Sequence, residues 1–173
     1  MPTLVALAVS VGVLAVVATW LFFLDPLVAA NLQVWQAFVA WGCHYHCGGK
    51  ITGTRNTIVC MSFGAVVGMA AVLLAGELGA IGTLAAPVAV GLGAALIVLS
   101  SKLPWLATIP ASVYGFASIA GLILLGTGMT PTTALLPTIL SIIIGAAFGY
   151  VSEAVAGALT KKGPALAKNV PAH

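Results

Sequence analysis

The chain has 173 residues, 61% of them apolar, with a mean hydropathy of +1.19 and a net charge of +3 carried by six basic and three acidic side chains. One small core cannot hide that much apolar surface, so water is excluded as the solvent around most of the chain. The slight basic excess has no interleaved aromatic patch, which excludes nucleic acid as a partner.

A hydrocarbon layer about 30 Å thick takes about 20 helical residues to cross. That ruler predicts six spans. The first covers residues 3–24 and stops at Asp25-Pro26, and the second covers 27–47 and stops at Gly48-Gly49-Lys50. The third covers 54–75, before Glu77, and the fourth 79–101, before Lys102. The fifth covers 104–125, before Gly126-Thr127-Gly128, and the last runs from about Thr132 to Leu159, with Thr-Pro-Thr-Thr as its N-cap signal. The first span lacks the basic start and small-residue cleavage site of a signal peptide and reads as a retained helix. Runs this long without alternation also exclude an outer-membrane barrel.

Cytoplasmic loops collect Lys and Arg. Lys50 and Arg55, Lys102, and the tail residues Lys161, Lys162 and Lys168 all fall on one side of a six-span chain, with Asp25 and Glu77 on the other. The expected topology therefore has both termini cytoplasmic, a transmembrane domain over residues 1–160 and a short basic cytoplasmic tail over 161–173.

The second span is the most polar. At 3.6 residues per turn, Gln33, Gln36, Ala40, Cys43, His44 and Cys47 share an arc of about 100°, while Trp35, Phe38, Trp41 and Tyr45 occupy another. A helix in lipid gathers amides, thiols and an imidazole on one side only where that side meets protein or water. Two readings stand open: the glutamines bond neighbouring helices, or they line a polar path. Cys43, His44 and Cys47 also form a candidate soft-metal set, since thiolate and imidazole suit copper(I) or zinc. One helix supplies three ligands at most, and Cys60 is the nearest further donor.

Small residues four apart cut grooves for a second helix backbone. Cys60, Gly64 and Gly68 make one such stripe, and Ser141, Gly145 and Gly149 another. Glu153 continues the latter as a candidate interior acid, with Arg55, Lys161 or Lys162 as alternative ion-pair partners. Pro87, Pro110 and Pro137 fall inside the last three spans and predict a bend in each.

Two three-helix halves look related. Trp35-Gln36-Ala37-Phe38, a glycine pair and the Gly64/Gly68 helix are echoed by Pro110-Ala-Ser-Val-Tyr114-Gly115, Gly126/Gly128 and the Gly145/Gly149 helix. Halves of three spans enter the membrane from opposite sides, which predicts an inverted repeat.

The stretch from Phe38 through Cys43-His44-Tyr45-His46-Cys47-Gly-Gly-Lys to the Gly64/Gly68 helix, with Ile109-Pro110-Ala-Ser-Val-Tyr114-Gly115-Phe116-Ala117 and Gly145-Ala-Ala-Phe-Gly149-Tyr150, resembles the bacterial inner-membrane family catalogued as domain of unknown function 1097. The resemblance implies a compact multi-span inner-membrane protein and brings no activity with it. It also implies that the Cys and His residues are a local variation.

The expected fold class is thus all-α, a polytopic membrane bundle of about six helices. The expected function is a channel or transporter for a small neutral or weakly charged solute, with Gln33, Gln36, Cys43, His44 and Tyr114 lining the pathway. Helix packing falls to Gly64, Gly68, Gly145 and Gly149. The alternatives are a metal- or redox-responsive protein using Cys43, His44 and Cys47, and a scaffold subunit whose grooves bind partner helices. No phosphate-binding loop, nucleophile–base pair or cofactor motif occurs, so neither an enzyme nor a cofactor is expected. The expected partners are the lipid bilayer, the solute and a second copy of the chain in a homo-oligomer.

Overall fold

A computed structural model describes residues 1–125 and 127–160. The expected basic tail at 161–173 and Gly126 lie outside the described residues.

Among the described residues there are seven α-helices and no strand: α1 (Thr3–Phe22), α2 (Asp25–Ala29), α3 (Val34–His46), α4 (Lys50–Glu77), α5 (Ala85–Ser100), α6 (Ile109–Leu124) and α7 (Pro131–Leu159). The all-helical expectation holds, and six of these helices correspond to the six spans. Three helical stretches, Thr3–Phe22, Lys50–Ser100 and Pro131–Leu159, are individually long and apolar enough to cross a membrane.

The boundaries differ from expectation in instructive ways. The second span is broken. Asp25-Pro26 opens the short α2, Asn31 then takes a left-handed φ of 57°, and α3 starts only at Val34. At 13 residues, α3 is about 20 Å long, short of the hydrocarbon thickness. The third span starts four residues early, because Lys50 follows directly on two glycines with φ of 90° and 70° that reverse the chain. The fourth is preceded by 3₁₀ turns over Leu78–Leu84, kinked at Gly82. Pro87 and Pro110 therefore fall in the first turns of α5 and α6, where a missing N–H costs nothing. Of the three expected bends, only Pro137 sits inside a helix. The N-cap of α7 is Thr130, in a reciprocal pair with Thr133.

α4 and α7 cross at the centre. α6 lies along α4 and α3 along α7, while α5 flanks α4 and α1 flanks α7. Exchanging α1, α3 and α4 for α5, α6 and α7 reproduces this pattern, as a three-plus-three repeat requires. The amino group of Met1 donates to the Leu159 carbonyl at 3.2 Å, so the start of α1 and the end of α7 share one end of the bundle.

The glycine stripes explain the close approach. A Cβ on Gly64 would collide with the Ser112 carbonyl of α6, and one on Gly145 with the Ala37 carbonyl of α3. One turn on, a Cβ on Gly68 would lie 2.7 Å from Ile119, and one on Gly149 2.7 Å from the His44 side chain. Both grooves are thus filled within the chain. Ala40, Cys43, Cys60, Met61, Ala111 and Ile142 form the core where the four inner helices meet. Leu4, Val16, Leu92, Leu99 and Leu136 point outward, as a lipid-facing surface demands.

Candidate functional site

The polar arc of α3 faces the bundle interior. Gln36, Ala40, Cys43 and His44 are buried, while Gln33 and Cys47 at its two ends are half-buried. The arc runs between α6 and α7, so the polar atoms of one half meet those of the other. We call this contact the seam.

At one end of the seam Gln36 donates from Nε2 to the Ser118 carbonyl at 2.9 Å and to Thr138 Oγ1 at 3.1 Å. Its Oε1 has no partner, nor has Ser118 Oγ, although both residues are essentially inaccessible. An unmade hydrogen bond on a buried polar group costs about 1–3 kcal/mol. Gln33 behaves otherwise. Its amide turns back to the Asn31 carbonyl, and its backbone N–H donates to Ser141 Oγ at 2.9 Å, satisfying the start of α3. Its expected place on the pathway is therefore corrected: the break after α2 makes it a loop and cap residue.

At the Lys50 end lies a second polar group. His44, fully buried, places Nε2 3.0 Å from Glu153 Oε2 and Nδ1 3.1 Å from Thr54 Oγ1. The same carboxylate oxygen accepts the Lys50 backbone N–H at 2.5 Å, and Thr54 Oγ1 donates to the Lys50 carbonyl at 3.0 Å. The Thr54 hydroxyl has one hydrogen to give, to that carbonyl or to His44 Nδ1. Glu153 is one-third exposed and borders an open groove of about 400 Å³ lined also by Lys50, Ile51, Tyr150 and Ala154. It is thus a boundary residue rather than an interior acid. Among the described residues its ion-pair partner is His44 and not Arg55.

Beside this cluster Ser152 gathers three helices. Its Oγ accepts from Trp41 Nε1 at 2.9 Å and from Tyr45 Oη at 2.6 Å, and donates to the Gly149 carbonyl at 2.8 Å. Ser10 of α1 donates to its carbonyl at 2.7 Å. Trp41 therefore carries the aromatic arc into the interior, stacked on Phe148 at 5.5 Å and on Phe38 at 5.7 Å.

The thiols sit between these groups. Cys43 and Cys47 place their sulfurs 3.7 Å apart, and Cys60 points to the Trp105 carbonyl at 3.4 Å. His44 turns both ring nitrogens away from them, to Glu153 and Thr54. The expected three-ligand set of Cys43, His44 and Cys47 is therefore not assembled. No group of three or more His, Cys, Asp or Glu suited to a metal ion occurs among the described residues. Tyr114 stands at the mouth of the seam, half-buried against the core, its hydroxyl 3.4 Å from Nδ1 of the exposed His46.

Sequence reasoning missed Thr54, Thr57, Ser118, Thr138 and Ser152. The available signal was position: Ser152 lies three residues after Gly149, beside the Ser141–Gly145–Gly149 stripe, and Thr57 lies three residues before Cys60. Hydroxyls on a small-residue stripe double as packing residues, which hides them.

A bundle of apolar helices with its polar atoms turned inward is a polytopic α-helical membrane protein. A family profile described as "Protein of unknown function (DUF1097)" matches residues 8–157, and the chain belongs to that family. Neither a curated protein nor a solved structure matches it.

Proposed function

We propose that this protein is a bacterial inner-membrane channel or transporter, with both termini cytoplasmic, that passes a small neutral or weakly charged solute along the seam of α3 with α6 and α7. The observation that carries the reading is the pair of unpartnered atoms, Gln36 Oε1 and Ser118 Oγ, held at full burial where the two halves meet. A residue selected only for packing has no use for an unpaired acceptor at full burial. A passing solute that donates to one and accepts from the other offsets that cost. The three-plus-three architecture supports the reading, because inverted halves place such sites at their interface. So does the absence, among the described residues, of a charged hydrogen-bond partner for Gln36, which disfavours a strongly charged solute. The reading includes no catalytic step.

Swelling of proteoliposomes against a panel of small solutes, including urea, acetamide and glycerol, tests it. At least one solute should enter faster than into empty liposomes, and Gln36→Leu should slow it. If none does, the protein is not a permease for small neutral molecules.

A further inference from the structure

We propose that Cys43 and Cys47 form a two-thiol site for a soft monovalent metal ion of the copper(I) class, at the Lys50 end of the seam. The proposal stands apart from the permeation reading and survives its failure.

The geometry starts from spacing. Residues four apart on a helix share a face, and the two sulfurs lie 3.7 Å from each other. Metal–sulfur bonds of about 2.3 Å on opposite sides of one ion set the sulfurs about 4.6 Å apart. The pair must open by about 1 Å, and Cys47 can supply that movement. It is the half-buried C-cap residue of α3, its backbone N–H bonded to the Cys43 carbonyl at 2.8 Å, and rotation about its Cα–Cβ bond moves the sulfur while the backbone stays in place.

A second observation points to the same place. The hydroxyl of Thr57 lies beside both thiols, is fully buried and has no hydrogen-bond partner. It is an oxygen donor with no partner of its own, next to the two sulfurs. Cys60, the third free thiol, belongs to the same buried core cluster as Cys43, with Cys47 packed against it.

Donor chemistry selects the ion. Two thiolates with a weak oxygen neighbour suit a soft monovalent ion, whereas zinc wants four harder-bound positions. His44 cannot complete a zinc site, since both its ring nitrogens are engaged elsewhere. Binding is a proton exchange without redox change: the ion replaces the two S–H hydrogens, two protons leave to water, and a bis-thiolate complex of net charge −1 remains. Cys47 and the exposed His46 open the site to that water.

The test is a competition titration of the reduced full chain in detergent, under argon. Copper(I) is presented as its coloured bathocuproine disulfonate complex. The wild type should withdraw one equivalent, and His44→Gln and Cys60→Ser should do the same. Cys43→Ser and Cys47→Ser should each compete more than about a hundredfold less well, beyond the loss that outer-shell changes usually give. Gel filtration checks that every variant remains folded. Equal uptake by the wild type and a folded Cys43→Ser/Cys47→Ser double variant overturns the site. Loss of uptake in a folded His44→Gln variant overturns the two-thiol ligand set.

Discussion

The two halves of the bundle solve one packing problem with different chemistry. Gly145 and Gly149 stand to Ala37 and His44 as Gly64 and Gly68 stand to Ser112 and Ile119. In the α4–α6 pair the position matching His44 is Ile119, and the residue matching Glu153 along the long helix is Val72. That seam is sealed by apolar contact, with Ile119 fully buried beside Leu122 and Ala65. In the α3–α7 pair the same positions hold an imidazole and a carboxylate 3.0 Å apart. The backbone approach is therefore a property of the fold, whereas the polar cluster is an addition to one half. Function is more economically sought in what the halves do not share.

The most damaging way to test the shared part is to fill a groove. Gly145→Leu and Gly64→Leu each drive a side chain into a facing carbonyl, so each should cost more than about 3 kcal/mol. Loss of monodisperse protein on gel filtration, or a large fall in Tm, would show it. An unchanged Tm for either variant would mean that the two glycine grooves are not what seats α3 and α6.

Glu153→Ala probes the unshared part. It leaves the Lys50 N–H and a buried imidazole N–H without an acceptor, a loss of about 1–3 kcal/mol. Val72→Ala, the matching change in the other half, should cost less, and Glu153→Gln should recover part of the loss by restoring an acceptor. Thermal unfolding in one detergent ranks the three variants. Should Val72→Ala prove the more harmful, the polar cluster contributes less to stability than the apolar contact in its place in the other half. The smallest effect belongs to Trp20→Ala on the outer face of α1, where the side chain touches little protein. It should stay within about 0.5 kcal/mol by the same assay.

The sequence carried the fold further than the site. Spans without charge, the stripes at Gly64/Gly68 and Gly145/Gly149, and the cations at Lys50 and Lys102 follow from the cost of polar groups in hydrocarbon, which a single chain displays directly. The break between α2 and α3 was less legible, because the left-handed turn at Asn31 lies inside a run that is apolar enough to pass for one helix. Burial of Gln36, Cys43 and His44 was readable from their common arc. Their partners were not. Glu153 lies more than a hundred residues from His44, and only the crossing of α3 with α7 selects it over Arg55. Ser152 and Thr138 resemble ordinary small packing residues until Trp41 and Gln36 are seen to donate to them.

The carboxylate on the Lys50 amide has a bearing on assembly. The first turn of α4 is completed by an oxygen that the ribosome delivers about a hundred residues later. Until α7 is inserted, the hairpin of α3 and α4 carries a raw amide and an unclasped imidazole. The early half of the polypeptide is thus left as a half-finished joint, and truncation before residue 153 should yield a species that quality-control proteases recognise, however well its own spans insert.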